Sequence, residues 1–132
     1  MKYANIIIFK DKKILLQLRD NKPKVPYPGV WCLPGGHIDK GESPLEAVIR
    51  ECEEETRYRP KSPTFYKSYP YDFIEGSPEV TIFTEEYDSS QKISCIEGEK
   101  MEFKERSEVE KIDFFPTFKE LCLEFLDKLD KK

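Results

Sequence analysis

Between residues 36 and 55 the chain gathers carboxylates at a spacing that suits a hard divalent cation. The stretch reads Gly36-His-Ile-Asp-Lys-Gly-Glu42-Ser-Pro-Leu-Glu-Ala-Val-Ile-Arg50-Glu51-Cys-Glu-Glu54-Glu55. On a helix, Glu51 and Glu55 stand at i, i+4 and Glu51 and Glu54 at i, i+3, so the three are neighbours. Like charges at these spacings destabilise a bare helix by a few tenths of a kcal/mol per pair. A bound cation turns that repulsion into coordination. Oxygen-only ligands are what Mg²⁺ prefers, and it is commonly shared between one or two carboxylates and substrate phosphates. Arg50 precedes Glu54 by four residues and can brace that carboxylate from behind.

Local signals supply the helix that these side chains need. Ser43 is an N-cap, Pro44 takes the first helical position, and Glu46 completes a capping box. Leu45, Val48, Ile49 and Cys52 recur at i, i+3, i+4, i+7 and predict one apolar face. The competing reading is a solvated acidic face, the usual fate of a Glu-rich run. The fixed positions upstream weigh against it. At an average usage of roughly 7% per residue type, six fixed positions coincide at about one start in 10⁷. The abundance of Glu loosens this by about tenfold and does not rescue chance.

The segment resembles the signature box of the Nudix hydrolases, the MutT-type pyrophosphohydrolases. That box asks for Gly, five residues, Glu, seven residues, Arg-Glu, an aliphatic residue, any residue, Glu-Glu, any residue, Gly and an aliphatic residue. Gly36, Glu42, Arg50, Glu51, Glu54 and Glu55 match, and Leu33-Pro34-Gly35-Gly36 resembles the entry into the box. Arg57 replaces the closing Gly, and Tyr58 replaces the aliphatic residue after it. Cys52 is a milder departure, still small and buriable. A Gly at 57 would supply a left-handed cap. Arg in that conformation costs on the order of 1 kcal/mol; the alternative is a helix that runs on until Pro60 stops it.

The resemblance implies an α+β fold, an α/β/α sandwich with a mixed sheet between helices. It also implies hydrolysis of a diphosphate linkage in a nucleoside diphosphate joined to another group. Glu51, Glu54 and Glu55 map onto the metal-binding glutamates, with the Gly36 backbone carbonyl as a further ligand. Mg²⁺ is the expected cofactor, with Mn²⁺ as a substitute. Catalysis is expected from Glu54, Glu51 and Arg50. Glu42 is carried over as a further carboxylate near the metal and substrate, and Arg19 as a cation facing the phosphates. The general base stays open between Glu51 and Glu54 inside the box and Glu97, Glu99, Glu102 and Glu105 outside it. Tyr27, Trp31 and Phe9 can stack a nucleobase or pack in the core. His37 can touch phosphate or metal, or stand exposed in its loop. Three functions follow: a (deoxy)nucleoside triphosphate pyrophosphohydrolase acting also on oxidised nucleotides, an ADP-ribose or nucleotide-sugar pyrophosphatase, and a nucleotide-binding module without turnover.

The rest of the chain sets bounds. At 132 residues it predicts one domain over 1–132 that can bury a real core. The net charge of −4 gives no footprint for nucleic acid. No apolar run reaches the length of a membrane span, and the N-terminus does not read as a signal peptide. Cys32, Cys52, Cys95 and Cys122 are scattered, which predicts reduced thiols in a cytoplasmic protein. A homodimer is compatible with the family and with soluble proteins at large.

Strands are predicted at 3–9, 14–19, 30–33, 65–73, 80–87 and 101–106. Proline-rich residues 21–29 predict a loop. A last helix carries Phe118, Leu121, Cys122, Phe125, Leu126 and Leu129 on one face, opened by a second capping box, Thr117 to Glu120.

Overall fold

The computed structural model describes residues 1–131; Lys132, the last residue of the expected domain, lies outside them. The Ile-rich opening forms β1 (Tyr3–Lys10), which turns back into β2 (Lys13–Leu18). Asp11 and Lys12 both take left-handed φ, 50° and 62°. This is the mirror-image turn whose twist matches a two-residue hairpin. β3 (Trp31–Cys32) and β4 (Gly35–His37) follow the proline-rich loop. After α1 (Pro44–Thr56) come β5 (Thr64–Pro70), β6 (Glu79–Glu86) and β7 (Lys100–Glu105). A short α2 (Arg106–Val109) and a long α3 (Phe118–Asp130) close the chain.

The strands form one mixed sheet. β1 runs parallel to β6 and antiparallel to β2 and β4. Its alternation sends Ala4, Ile6 and Ile8 to the α1 side, where they meet Ala47, Val48 and Cys52. Ile7 faces the other way, toward Phe118, Leu121, Cys122 and Leu126 of α3. A sheet buried on both faces reads as a near-continuous apolar run, as β1 does. The result is the expected α/β/α sandwich.

One feature of the sheet makes room for a site. β1 pairs with β2 only at Phe9 and Lys10, next to the hairpin turn. Farther back the same edge of β1 pairs with β4 through Tyr3, Ala4 and Asn5. Meanwhile β2 pairs along its full length with β7, and at its end with β3. The sheet therefore forks between β1 and β2, and the glycine pair lies in the fork. At Gly35 φ is 141° and an added Cβ would lie 2.2 Å from the Ala4 carbonyl oxygen. Only glycine permits both the conformation and the contact.

Three local expectations are corrected. The glycine pair, beyond the strand expected at 30–33, forms a strand of its own, β4. Leu45 was expected on the apolar face of α1, yet it is exposed, and the buried stripe is Ala47, Val48, Cys52, Glu55 and Thr56. Thr117 makes no capping bond; it sits in the left-handed region and its hydroxyl lies 2.7 Å from the Tyr69 hydroxyl. A competing side-chain partner removed the cap.

The end of α1 resolves the question posed by Arg57. Arg57 adopts the left-handed cap itself (φ 63°), and its N–H donates to the Glu53 carbonyl. Tyr58 is fully buried behind it and donates to the Glu85 carboxylate. Because a β-carbon is disfavoured at this φ, R57G is expected to raise unfolding free energy by about 1 kcal/mol. Urea denaturation measures it; no gain would mean that the Arg57 side chain offsets the strain.

Candidate active site

The carboxylates of α1 divide into two groups. The Glu55 carboxylate is turned inward, with the residue only 5% exposed, and accepts from the Gly35 N–H at 3.0 Å. The Glu51 carboxylate is a neighbour that helps push the Glu55 carboxyl up. Glu51 also packs against Gly36 so closely that an added Cβ would come within 2.8 Å of its Oε2. Glu54 stands on the rim, its side chain 59% exposed. The one acidic face expected from helical spacing is thus an inner pair and an outer neighbour.

Arg50 ties this arrangement together. Its Nε and Nη2 donate to the two oxygens of Glu42 at 2.7 and 2.9 Å. Nη1 donates to Glu51 at 2.9 Å and lies 3.4 Å from Glu54. Nη2 also reaches the His37 carbonyl at 3.1 Å and Asp39 at 3.3 Å. A planar fork with five donors suits this role, and Lys could not copy it. The hydrogen bond from Arg50 and then the Asp39 N–H hold the Glu42 carboxyl down, to about 2. Neither Arg50 nor Glu42 lines the adjacent cleft. In this geometry both brace the loop and the helix.

Burial acts the opposite way on Glu55. Desolvation pushes its carboxyl up to about 9, against the Gly35 hydrogen bond and with the help of Glu97 and Glu51. Glu51 has the Arg50 guanidinium as its counter-ion, whereas buried Glu55 has no cation beside it among the described residues, and so it is the one that holds a proton.

Above Glu55 opens a cleft of about 440 Å³ in the fork of the sheet. Its walls include Gly35, Gly36, Glu55, Glu97, Arg19 and Asp20, with aromatic rings from Tyr3, Tyr27, Tyr71 and Phe115. Of the four later glutamates, Glu97 alone lines it. Glu99 accepts from the Asn21 N–H, Glu102 pairs with Lys104, and Glu105 caps α2. Glu97 owes its place to backbone bonds. The Ser94 and Ile96 N–H groups donate to the Thr56 and Glu55 carbonyls at the end of α1. Gln17 then donates to the Glu97 carbonyl at 2.7 Å. Such bonds leave no periodic trace; Gly98, with φ 83° beside the Leu18 carbonyl, is the one local sign of a fixed loop.

Arg19 lines the cleft but is already engaged. Its Nε and Nη2 donate to the Pro26 carbonyl at 3.0 and 2.7 Å, and Nε also to the Tyr27 carbonyl at 3.2 Å. Its guanidinium lies over Phe115, 5.5 Å from the ring centre. Of the three rings weighed for stacking, Tyr27 lines the cleft. Phe9 packs against Phe125 in the core, and Trp31 lies under Lys104. His37 also lines the cleft, edge-on to Tyr3.

The donor set can be tested against a metal ion. Among the described residues no three His, Cys, Asp or Glu side chains close on one point. Glu51 and Glu55 do, beside a glycine backbone that leaves the space open. Two carboxylates with remaining positions filled by backbone, water and phosphate oxygens is a set that Mg²⁺ accepts. The four cysteines are free thiols, and Cys32 and Cys52 are pushed up to about 12 chiefly by burial. Soft-metal chemistry finds no ligand set here. No helix among the described residues is long and apolar enough to cross a membrane.

Comparison with known proteins agrees with this geometry. The MutT protein of Methanosarcina mazei Go1 superposes with a TM-score of 0.79 at 21% identity, covering 100% of this chain and 96% of that one; this likeness speaks to the fold. The MutT protein of Bacillus halodurans is 30% identical, with a TM-score of 0.68, over 95% of this chain and 81% of that one. An ADP-ribose pyrophosphatase of Methanocaldococcus jannaschii is 51% identical over 55 residues, 42% of this chain and 31% of that protein. The chain spans about a third or less of the length of the first curated relatives it matches. The NUDIX domain family model matches residues 1–131. The chain belongs to the Nudix hydrolase family.

Proposed function

We propose that this protein hydrolyses a phosphoric anhydride in a nucleoside diphosphate linked to another group, and that its substrate is a (deoxy)nucleoside triphosphate. The observation that carries the reading is the inner pair Glu51 and Glu55, packed against Gly36 and Gly35, with Glu55 and Glu97 both lining the cleft. The cleft lining opposes Asp20, Glu55 and Glu97 to one cation, Arg19, which the loop already engages. A polyphosphate therefore enters favourably only with divalent cations of its own.

Glu51 and Glu55 would hold Mg²⁺, with Mn²⁺ as a substitute, and Glu54 stands by on the rim. When bound, the ion would polarise phosphoryl oxygens, offset charge on the leaving group and lower the pKa of the attacking water. The chain's own residues do the rest. Gly36 keeps backbone, not side chain, against the reacting group. Arg50 fixes the carboxylates and acts through them. Glu97 is placed to take the proton from water, since it lines the cleft beside Glu55.

A short segment shared with a putative 8-oxo-dGTP diphosphatase of Bacillus subtilis, 43% identical over 53 residues, supports the triphosphate reading. The short segment shared with the ADP-ribose pyrophosphatase keeps that substrate as the second reading. A panel of NTPs, dNTPs, 8-oxo-dGTP, ADP-ribose and nucleotide sugars with Mg²⁺ separates the two. Absence of turnover on every member up to about pH 9 would leave only a binding module.

E54Q and E97Q are each expected to lower kcat by about 10²-fold or more while folding stays intact. A large loss in E54Q beside a near-normal E97Q would move the role of base to Glu54. Near-normal rates in both would remove the site.

Glu55 gives a test by stability. The folded protein keeps a proton on Glu55 between its ordinary value of 4.5 and about 9, whereas the unfolded chain has released it. The folded state binds the extra proton, so Glu55 makes stability fall as pH rises through that window. The slope is at most about 1.4 kcal/mol per pH unit. E55Q keeps an acceptor for the Gly35 N–H and should flatten the slope in thermal melts from pH 5 to 9. Added Mg²⁺ or Mn²⁺ should raise the wild-type Tm at the alkaline end and leave E55Q unmoved. A metal response equal in both proteins would count against Glu55 as a ligand.

A further inference from the structure

We propose that Gln17 is a positioning residue for Glu97, and that the Cys32 thiol orients it for that task. The proposal rests on the reading of Glu97 as the group that takes the proton from water.

β2 is apolar from Ile14 to Leu18 except at Gln17. The residue is only 6% exposed and lines the cleft in the fork of the sheet. A buried amide gains nothing there over a packed Leu or Met unless its oxygen and its nitrogen both find partners. Both do. Nε2 donates to the Glu97 carbonyl at 2.7 Å, and the thiol of Cys32, its partner on β3, donates to Oε1 at 3.5 Å. A carbonyl only accepts, so the amide nitrogen has to face Glu97. The thiol on the other side favours the same orientation. The two side chains form a short chain of bonds from β3 through β2 into the 88–99 loop.

What this chain holds is the backbone at Glu97. The Glu97 side chain is exposed, so its place in the cleft is set by the backbone that carries it. The loop is tied on both flanks. The Ile96 N–H donates to the Glu55 carbonyl at 3.0 Å and the Glu99 N–H to the Leu18 carbonyl at 2.9 Å. Between these ties lies Gly98, at φ 83°, and a glycine lets the peptide before it turn. The Cys95 thiol also reaches the Glu97 carbonyl, at 3.3 Å, but it is a weak donor on the same loop. Among the described residues Gln17 is the one donor to that carbonyl from outside the loop. Its net contribution to folding is that of an ordinary hydrogen bond. Its effect on a reacting group is larger, since misplacement by about 1 Å costs up to about 10²-fold in rate.

The test compares wild type with Q17M, Q17N, E97Q and Q17M/E97Q. Q17M keeps the volume without the donor, and Q17N keeps an amide one methylene too short to reach. Thermal melts establish which variants are folded, and amide hydrogen exchange is read by NMR without substrate. Exchange at Ile96 and Glu99 is expected to quicken about five- to tenfold in both Gln17 variants, with Val48 of α1 unchanged. On the substrate panel with Mg²⁺, both should lose about tenfold or more in kcat at a KM within about twofold of wild type. Q17M should cost nothing further in the E97Q background, because no base is left to position. C32V should show the same pattern in smaller measure.

Unchanged exchange in the folded variants, a full kcat beside a slow E97Q, or an undiminished loss in Q17M/E97Q would overturn the proposal and leave the hydrolase reading standing. Failure of both Q17M and Q17N to fold would make Gln17 a stability residue and overturn it too. A near-normal E97Q would remove Glu97 as the base, and the proposal with it. Quickened exchange in a protein that turns over no member of the panel would sustain the link from Gln17 to the Glu97 backbone and refute the hydrolase.

Discussion

One guanidinium holds the loop and the helix of this site in register. Arg50 joins Glu42 from the loop before α1, Glu51 and Glu54 from within it, and the His37 carbonyl at the end of β4. Without that charge, Glu42, Glu51, Glu54 and Glu55 would repel one another across a short distance. The bond to His37 carries the constraint into the sheet, because β4 pairs with β1 through Tyr3, Ala4 and Asn5. Asn5 in turn fixes the Leu33 and Pro34 carbonyls that precede the glycine pair. The position of Glu55 over Gly35 is thus set from two sides, by the helix and by the first strand.

Much of this was legible in the sequence because its causes are local or periodic. The Ser43 capping box forms as read, with Glu46 answering the Ser43 N–H. The alternation of Ala4, Ile6 and Ile8 against Ile7 gives a strand buried on both faces. The stripe from Phe118 to Leu126 gives the last helix. What failed did so where a nonlocal partner decided. Thr117 has the right spacing for a cap, but Tyr69 from β5 takes its hydroxyl. Leu45 has the right spacing for the core, but the sheet meets α1 one position round, along Ala47, Val48 and Cys52. The acidic face of the helix and the face that packs therefore overlap at Glu55, and no spacing rule separates them.

The site shows the same division. Spacing named Glu51, Glu54 and Glu55 but could not tell that two point inward and one outward. That split depends on the close approach of Gly36 to Glu51 and of Gly35 to Glu55. Arg19 was legible as a cation near the cleft and not as the clamp of the 20–29 loop, since its acceptors are carbonyls seven and eight residues on. Glu97 was one of four equivalent acids in the sequence. Docking of its loop onto the last carbonyls of α1 singles it out, and those carbonyls need donors whatever the side chains are.

The orphan carbonyls at the end of α1 thus do two jobs at once. A helix that ends at a left-handed Arg57 leaves the Glu55 and Thr56 carbonyls without helical partners, and the 88–99 loop supplies the N–H groups of Ile96 and Ser94. The same bonds set Glu97 beside Glu55, in a cleft where, among the described residues, the one Arg is already engaged. A loop recruited to satisfy backbone polarity therefore sharpens the electrostatic problem of buried Glu55, because it sets an exposed carboxylate beside it. Nothing in the packing requires an acid at 97, and a positive charge arriving with the proposed substrate would be met there by two carboxylates. Burial first, and then the neighbouring acids, raise the Glu55 carboxyl in the free protein, and the cation of the proposed substrate would relieve both costs by drawing off that proton.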